Sequence, residues 1–185
     1  GVNNFFSKWL IDLAHDQLPD GRVLNVSPQA YKITESGVAG WADAATIIPW
    51  KMYMAYADKD LLEVQYPSMK AWVNYIKRIS NDYLWNTGFH FGDWLALDAR
   101  EGSYFGATPN DLTATAFYAW STSLMIQIAD TLGKREDAAE YRLLHERIVR
   151  AFQEEFFTPS GRLAVMTQTA HILALHFGLV PDAYM

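Results

Sequence analysis

The sequence contains no cysteine, which excludes disulfide frameworks and thiolate metal sites and leaves the redox compartment unread. Charge is scarce: 19% of residues are charged, and acidic residues outnumber basic ones 21 to 15, for a net charge of −6. With no basic stripe to neutralise phosphates, no nucleic-acid partner is expected. No uninterrupted apolar run approaches the ~18 residues of a membrane span, so no membrane partner is expected either. There is no glycine-rich phosphate loop and no serine set in a nucleophile elbow. His171 and His176 are spaced too far apart to share one helix face as a metal-binding pair, and neither metal nor cofactor is expected. His15 and His145 read as solvated residues of outer helices, and His176 as a core or surface residue. The opening Gly1-Val2-Asn3-Asn4-Phe5-Phe6 has none of the features of a signal peptide. Together with the closing Val180-Pro181-Asp182-Ala183-Tyr184-Met185, it reads as a stretch of something longer.

What is present is apolar and aromatic. Half of the residues are hydrophobic and 15% aromatic, enough to bury a core. At 185 residues the chain suits one domain better than two. Apolar spacing is helical nearly throughout. It predicts helices over about 4–16, 43–56, 59–79, 109–132, 135–156 and 167–177. Pro49 and Pro67 are expected to kink or restart the second and third. Thr108 is the expected N-cap of the fourth, with Pro109 in its first turn and Gly133 closing it.

These helices are of two kinds. The first, third and fifth carry a charged face and want water. The fourth has no charge from Leu112 to Gln127, the sixth none from Gln168 to Gly178, and the second only Lys51. Helices apolar all round belong inside, so outer and inner helices alternate. Outer-to-inner connections, 17–42, 80–108 and 157–166, are long, while the inner-to-outer ones are short. Paired around a ring, the three long loops fall on one face, at the N-terminal ends of the inner helices, where function is expected. The expected fold is all-α, about half of an (α/α)6 toroid. A closed ring of twelve helices needs roughly 250–350 residues. A helical-repeat solenoid is the competing architecture, but there is no fixed sequence period and the loops are unequal.

The long loops hold two pairings of a carboxylate with an aromatic ring, Trp41 with Asp43 and Asp93 with Trp94. Polyols are bound by carboxylates that accept their hydroxyl hydrogens while a ring covers the apolar C–H face. Each residue also has a structural reading: Asp43 as an N-cap, Asp93 as a turn former, and the tryptophans as plugs of the core. His90, between Phe89 and Phe91, could bond a hydroxyl or orient Asp93.

An ordered series of motifs then points to a family. It comprises Phe6-Ser7-Lys8-Trp9-Leu10, Gln17-Leu18-Pro19-Asp20-Gly21, Gly40-Trp41-Ala42-Asp43-Ala44-Ala45 and Ile48-Pro49-Trp50. It continues with Tyr66-Pro67-Ser68-Met69-Lys70, Thr87-Gly88-Phe89-His90-Phe91-Gly92-Asp93-Trp94-Leu95 and Gln168-Thr169-Ala170. The set closely resembles the bacterial α-L-rhamnosidases, a family of glycoside hydrolases, over essentially the whole chain. The resemblance implies an α/α toroid and hydrolysis of terminal α-linked L-rhamnose with inversion, which takes two carboxyl groups ~6.5–9.5 Å apart. It places the general acid in an Arg-Asp-Glu-Arg type segment before this region and the general base in a later glutamate. Neither has a counterpart here, and Glu35, Glu63 and Glu101 do not sit in those contexts. What carries over is substrate binding by Asp43, Trp41, Asp93 and Trp94, with His90 and Phe91 as weaker matches; Ala42 stands where the family commonly has glycine. Residues 1–185 are thus expected to be one partial catalytic domain, incomplete at both ends and inactive alone. Its expected partner is a rhamnose-containing glycoside or polysaccharide, and exposed inner-helix surface is expected to drive self-association. The alternatives are a toroid glycosidase for another sugar and a non-catalytic helical carbohydrate-binding module.

Overall fold

The computed structural model describes residues 1–30 and 36–184. Six α-helices are present among them: α1 Asn3–His15, α2 Ala44–Tyr56, α3 Lys59–Ile79, α4 Asn110–Thr131, α5 Arg135–Phe156 and α6 Gln168–His176. A 3-10 turn, Asp182–Tyr184, follows. No β-strand occurs among the described residues, only isolated bridges.

Local chemistry explains most of the boundaries. Asp58 caps α3 by accepting from the Leu61 amide at 3.0 Å, and Thr167 caps α6 by accepting from Ala170 N at 3.2 Å. Gly133, at φ 72°, ends the fourth helix as expected, with Lys134 N donating back to Ala129 O at 2.8 Å. Pro49 and Pro67 do not restart their helices: α2 and α3 run unbroken through them. Thr108 is not the cap of α4. Pro109 holds that position without a side-chain bond, and the Thr108 hydroxyl is turned elsewhere.

The division into outer and inner helices holds. α4 lies at the centre, packing on α2, α3, α5 and α6, and no residue from Leu112 to Ile126 is exposed. Its side chains are mostly small, with Ala114, Ala116 and Ala119 fully buried, which lets neighbours approach closely. Trp72, Trp85, Tyr118 and Phe152 supply the bulk of the core around it. The outer helices α3 and α5 turn charge outward, and long side chains bridge them: Lys70 to Asp137 at 2.8 Å and Lys77 to Glu140 at 3.2 Å. At this exposure such pairs add little stability, roughly 0–1 kcal/mol each. His145, expected in solvent, instead packs into the body of the protein, where burial lowers its pKa.

Each of the three long connections sends buried side chains into the body, Leu163 in the third among them. Val23, Leu24 and Val38 bury the first of them, and Gln17 Nε2 ties it to α3 by donating to Ser68 O at 3.1 Å. Trp85 anchors the second, its amide donating to Thr115 Oγ1 of α4 at 3.0 Å. Buried hydroxyls on an inner helix thus satisfy loop backbone that would otherwise lose its partners.

Candidate functional site

A cleft of about 580 Å³ opens where the first two long loops meet the first turns of α4 and α6. That size lies within the ~300–1,000 Å³ of small-molecule sites. Its lining comes from Gly40 and Trp41, from Gly92, Asp93 and Trp94, and from side chains of the two inner helices. On those helices Thr113 and Phe117 stand one turn apart, as do Thr169 and Leu173, so each pair shows one face to the cleft.

Trp41 and Trp94 keep 47% and 37% of their surface exposed, so neither plugs the core. Phe91 stands between them, its ring centroid 5.2 Å from Trp41 and 5.1 Å from Trp94. The three rings brace one another at tilted or edge-on angles, which fixes the tryptophan faces without using them up.

Asp93 is the one charged side chain among the described residues of the lining. The Gly92-Asp93-Trp94 turn is closed by a short bridge, with Gly106 N donating to Asp93 O and Leu95 N to Tyr104 O, both at 2.7 Å. Gly92 is required there: its φ is +59°, and a Cβ would collide with the Asn110 side-chain oxygen. Each carboxylate oxygen of Asp93 receives one hydroxyl. Thr108 Oγ1 donates to Oδ2 at 2.7 Å and Thr169 Oγ1 to Oδ1 at 3.0 Å.

Asp43 lies beneath this surface, fully buried and outside the lining. It stands at the N-cap position of α2, as one reading of the sequence expects, but its side chain makes no capping hydrogen bond. Its Oδ1 accepts from Ser121 Oγ at 2.6 Å and Trp72 Nε1 at 3.0 Å, and its Oδ2 from Gly40 N at 2.8 Å. Burial raises its pKa from the ordinary 3.8, while the Ser121, Gly40 and Trp72 bonds oppose the rise. Through Gly40 it holds the backbone that carries Trp41.

His90 is likewise buried, at 3% exposure. Its Nδ1 accepts from Ala39 N at 3.1 Å and its Nε2 donates to Thr87 O at 3.0 Å. These partners require the neutral ring protonated on Nε2, and burial lowers its pKa accordingly. His90 therefore pins the first loop to the second. Of the other carboxylates weighed in the sequence, Glu63 pairs with Lys134 on the outer surface and Glu101 is exposed in a loop, both away from the cleft. Glu35 lies outside the described residues.

The geometry can be set beside known proteins. Residues 1–185 match the bacterial alpha-L-rhamnosidase 6 hairpin glycosidase domain. The chain belongs to this family. Among curated relatives, an alpha-L-rhamnosidase of Streptomyces avermitilis is 40% identical over 97% of the chain. One from Alteromonas sp. is 37% identical over 98%. The chain spans 16% and 20% of their respective lengths. Among solved structures, that of the Streptomyces avermitilis alpha-L-rhamnosidase complexed with L-rhamnose superposes with a TM-score of 0.88 at 39% identity, over 98% of this chain and 17% of that one. The alfa-L-rhamnosidase of Aspergillus terreus superposes at 0.92 with 32% identity, over 99% and 22%. The six helices are therefore a portion of the α/α toroid of a rhamnosidase domain. Of the cleft residues, Trp41, Asp93 and Trp94 are legible in the sequence, whereas Phe117, Leu173 and the threonines are not. The motif Gln168-Thr169-Ala170 carried the one signal for Thr169, as a family match without a role.

Proposed function

We propose that this rhamnosidase-domain chain supplies part of the sugar-binding surface of an inverting α-L-rhamnosidase acting on terminal α-linked L-rhamnose. The observation that carries the reading is Asp93, a lone carboxylate held open to a cleft beside the exposed faces of Trp41 and Trp94. The carboxylate accepts hydrogen bonds from sugar hydroxyls, and the tryptophans cover the apolar face and the methyl group. Phe91 fixes the angle of the rings, His90 fixes the two loops against each other, and Asp43 sets the position of Trp41 from below. The general acid and general base lie outside residues 1–185, which form one partial domain of the whole enzyme. Inner-helix side chains such as Met54, Ile172 and Leu175 are exposed here, at 64%, 55% and 69%, and favour association of the isolated chain.

The test is hydrolysis of p-nitrophenyl α-L-rhamnoside by the full-length protein carrying this chain. A hydrogen bond to a charged group contributes about 1.5–3 kcal/mol. Asp93→Ala should therefore lower kcat/KM by about 10- to 100-fold, and Trp94→Ala should raise KM. Wild-type kcat/KM in Asp93→Ala would remove the basis of the reading. Turnover by residues 1–185 alone would place a proton-transfer carboxylate inside the chain.

A further inference from the structure

Asp93 is held by more than its immediate neighbours. Thr108 is 4% exposed and does not line the cleft. Its hydroxyl has a single hydrogen, committed to Asp93 Oδ2. The second contact of Thr108, 2.7 Å to Thr167 Oγ1, must therefore be donated by Thr167. Thr167 in turn accepts from the Ala170 amide as the N-cap of α6. All the hydrogens point one way, from the first turn of α6, through Thr167 and Thr108, to the carboxylate. Thr169 of that same turn reaches the other oxygen directly. Hydrogen bonds aligned in series polarise one another, and a helix N-terminus favours negative charge within its first turn.

A carboxylate offers about four lone-pair directions, two on each oxygen. The threonines occupy one on Oδ1 and one on Oδ2. Among the described residues nothing else bonds the carboxylate, which leaves one direction on each oxygen, an arrangement suited to two neighbouring hydroxyls of a sugar ring. Without the threonines, the carboxylate could turn about its Cβ–Cγ bond and present any pair of lone pairs.

We propose that the Thr167–Thr108 relay is a positioning device that sets the orientation of Asp93 for substrate, so that sugar affinity depends on the docking of α6 against the second loop. The proposal rests on the reading of Asp93 as the sugar-binding carboxylate. Thr108 and Thr167 are positioning residues; they act through Asp93.

The experiment is a titration of the full-length protein with L-rhamnose, followed by tryptophan fluorescence, beside thermal melts and p-nitrophenyl α-L-rhamnoside kinetics. Thr108→Val keeps the side-chain shape and removes both bonds. It is expected to raise Kd about tenfold, or ~1.4 kcal/mol, and to raise KM more than it lowers kcat. Thr108→Ser, which keeps the hydroxyl, is expected to bind within about twofold of wild type. A purely structural role would lower Tm in Thr108→Val and leave Kd of the folded protein unchanged, which overturns the relay. Should Thr108→Val not fold, Thr167→Val breaks the same series one link further from the carboxylate, at a half-buried position. About threefold weaker binding is expected there, and unchanged Kd again overturns the relay. Asp93→Ala separates the two readings. If it leaves Kd unchanged, the site assignment itself fails; if it abolishes binding while Thr108→Val does not weaken it, the relay alone fails.

Discussion

Removing the Asp43 carboxylate should cost more stability than its single side chain suggests. The group has no contact with water, and its two oxygens gather three donors from three parts of the chain. Asp43→Ala would strand the Gly40 amide, the Trp72 indole and the Ser121 hydroxyl in the core. Of these, Ser121 has another neighbour in Thr46 Oγ1, at 2.8 Å, so the lasting loss falls on Gly40 and Trp72. An unsatisfied buried donor costs ~1–3 kcal/mol, so two give about 2–6 kcal/mol, with the middle of that range expected. Asp43→Asn keeps the volume and one oxygen. That oxygen can serve Trp72 and Ser121, but the new NH₂ then faces the Gly40 N–H, so one donor is lost, or about 1–3 kcal/mol. Acid separates the variants further. Because burial raises the folded pKa above 3.8, the native state binds a proton that the unfolded chain has not yet taken up. Asp43 therefore adds stability as pH falls from above its raised folded pKa toward 3.8, and that increment is lost as pH rises back through the folded pKa. The assay is urea unfolding of the 185-residue chain by tryptophan fluorescence across pH 3.5–8. Wild type should gain on Asp43→Asn as the solution is acidified. A loss under about 1 kcal/mol in Asp43→Ala, or parallel pH curves for wild type and Asp43→Asn, would refute the argument.

Two further perturbations probe other parts of the same body. The Tyr118 hydroxyl is fully buried without a hydrogen-bond partner among the described residues; Tyr118→Phe is therefore expected to leave stability unchanged or raise it by up to about 1 kcal/mol in urea unfolding, whereas a clear loss would reveal a partner. His90 is neutral in the fold and its pKa is lowered from 6.5, so its contribution is fully present above 6.5 and declines as pH falls from there toward the lower folded value; His90→Gln should flatten that part of the stability curve, and an unchanged slope would count against a His90 held neutral by burial.

The legible and illegible parts of this chain differ in range. Inner and outer helices could be told apart because the decisive signal is local: Leu112 to Gln127 carries no charge, whatever surrounds it. Loop lengths were equally readable, and with them the face on which a site would open. The roles of individual carboxylates were not. Asp43 and Asp93 each follow a glycine-containing turn beside a tryptophan, yet one is sealed in the core and the other open to the cleft. What separates them is Trp72 and Ser121 in one case, and Thr108 and Thr169 in the other, all distant in sequence. Thr108 shows the same limit from the opposite side: its position before Pro109 is that of a helix cap, and a nearby carboxylate outcompetes the helix for its hydroxyl.

The central helix also bears on how such a domain can vary. Most of α4 from Leu112 to Ile126 is buried and none of it is fully exposed, so a lysine or glutamate at one of its buried positions has no route by which its charged end could escape the interior. The outer helices α3 and α5, by contrast, can exchange one charged residue for another at little cost. Substitutions that survive in a mutational library should therefore collect on the outer layer, while α4 tolerates only trades among small or apolar side chains. A screen for improved solubility or altered surface charge has its freedom in α3 and α5; one for altered sugar preference must work through the few α4 and α6 side chains that meet the cleft.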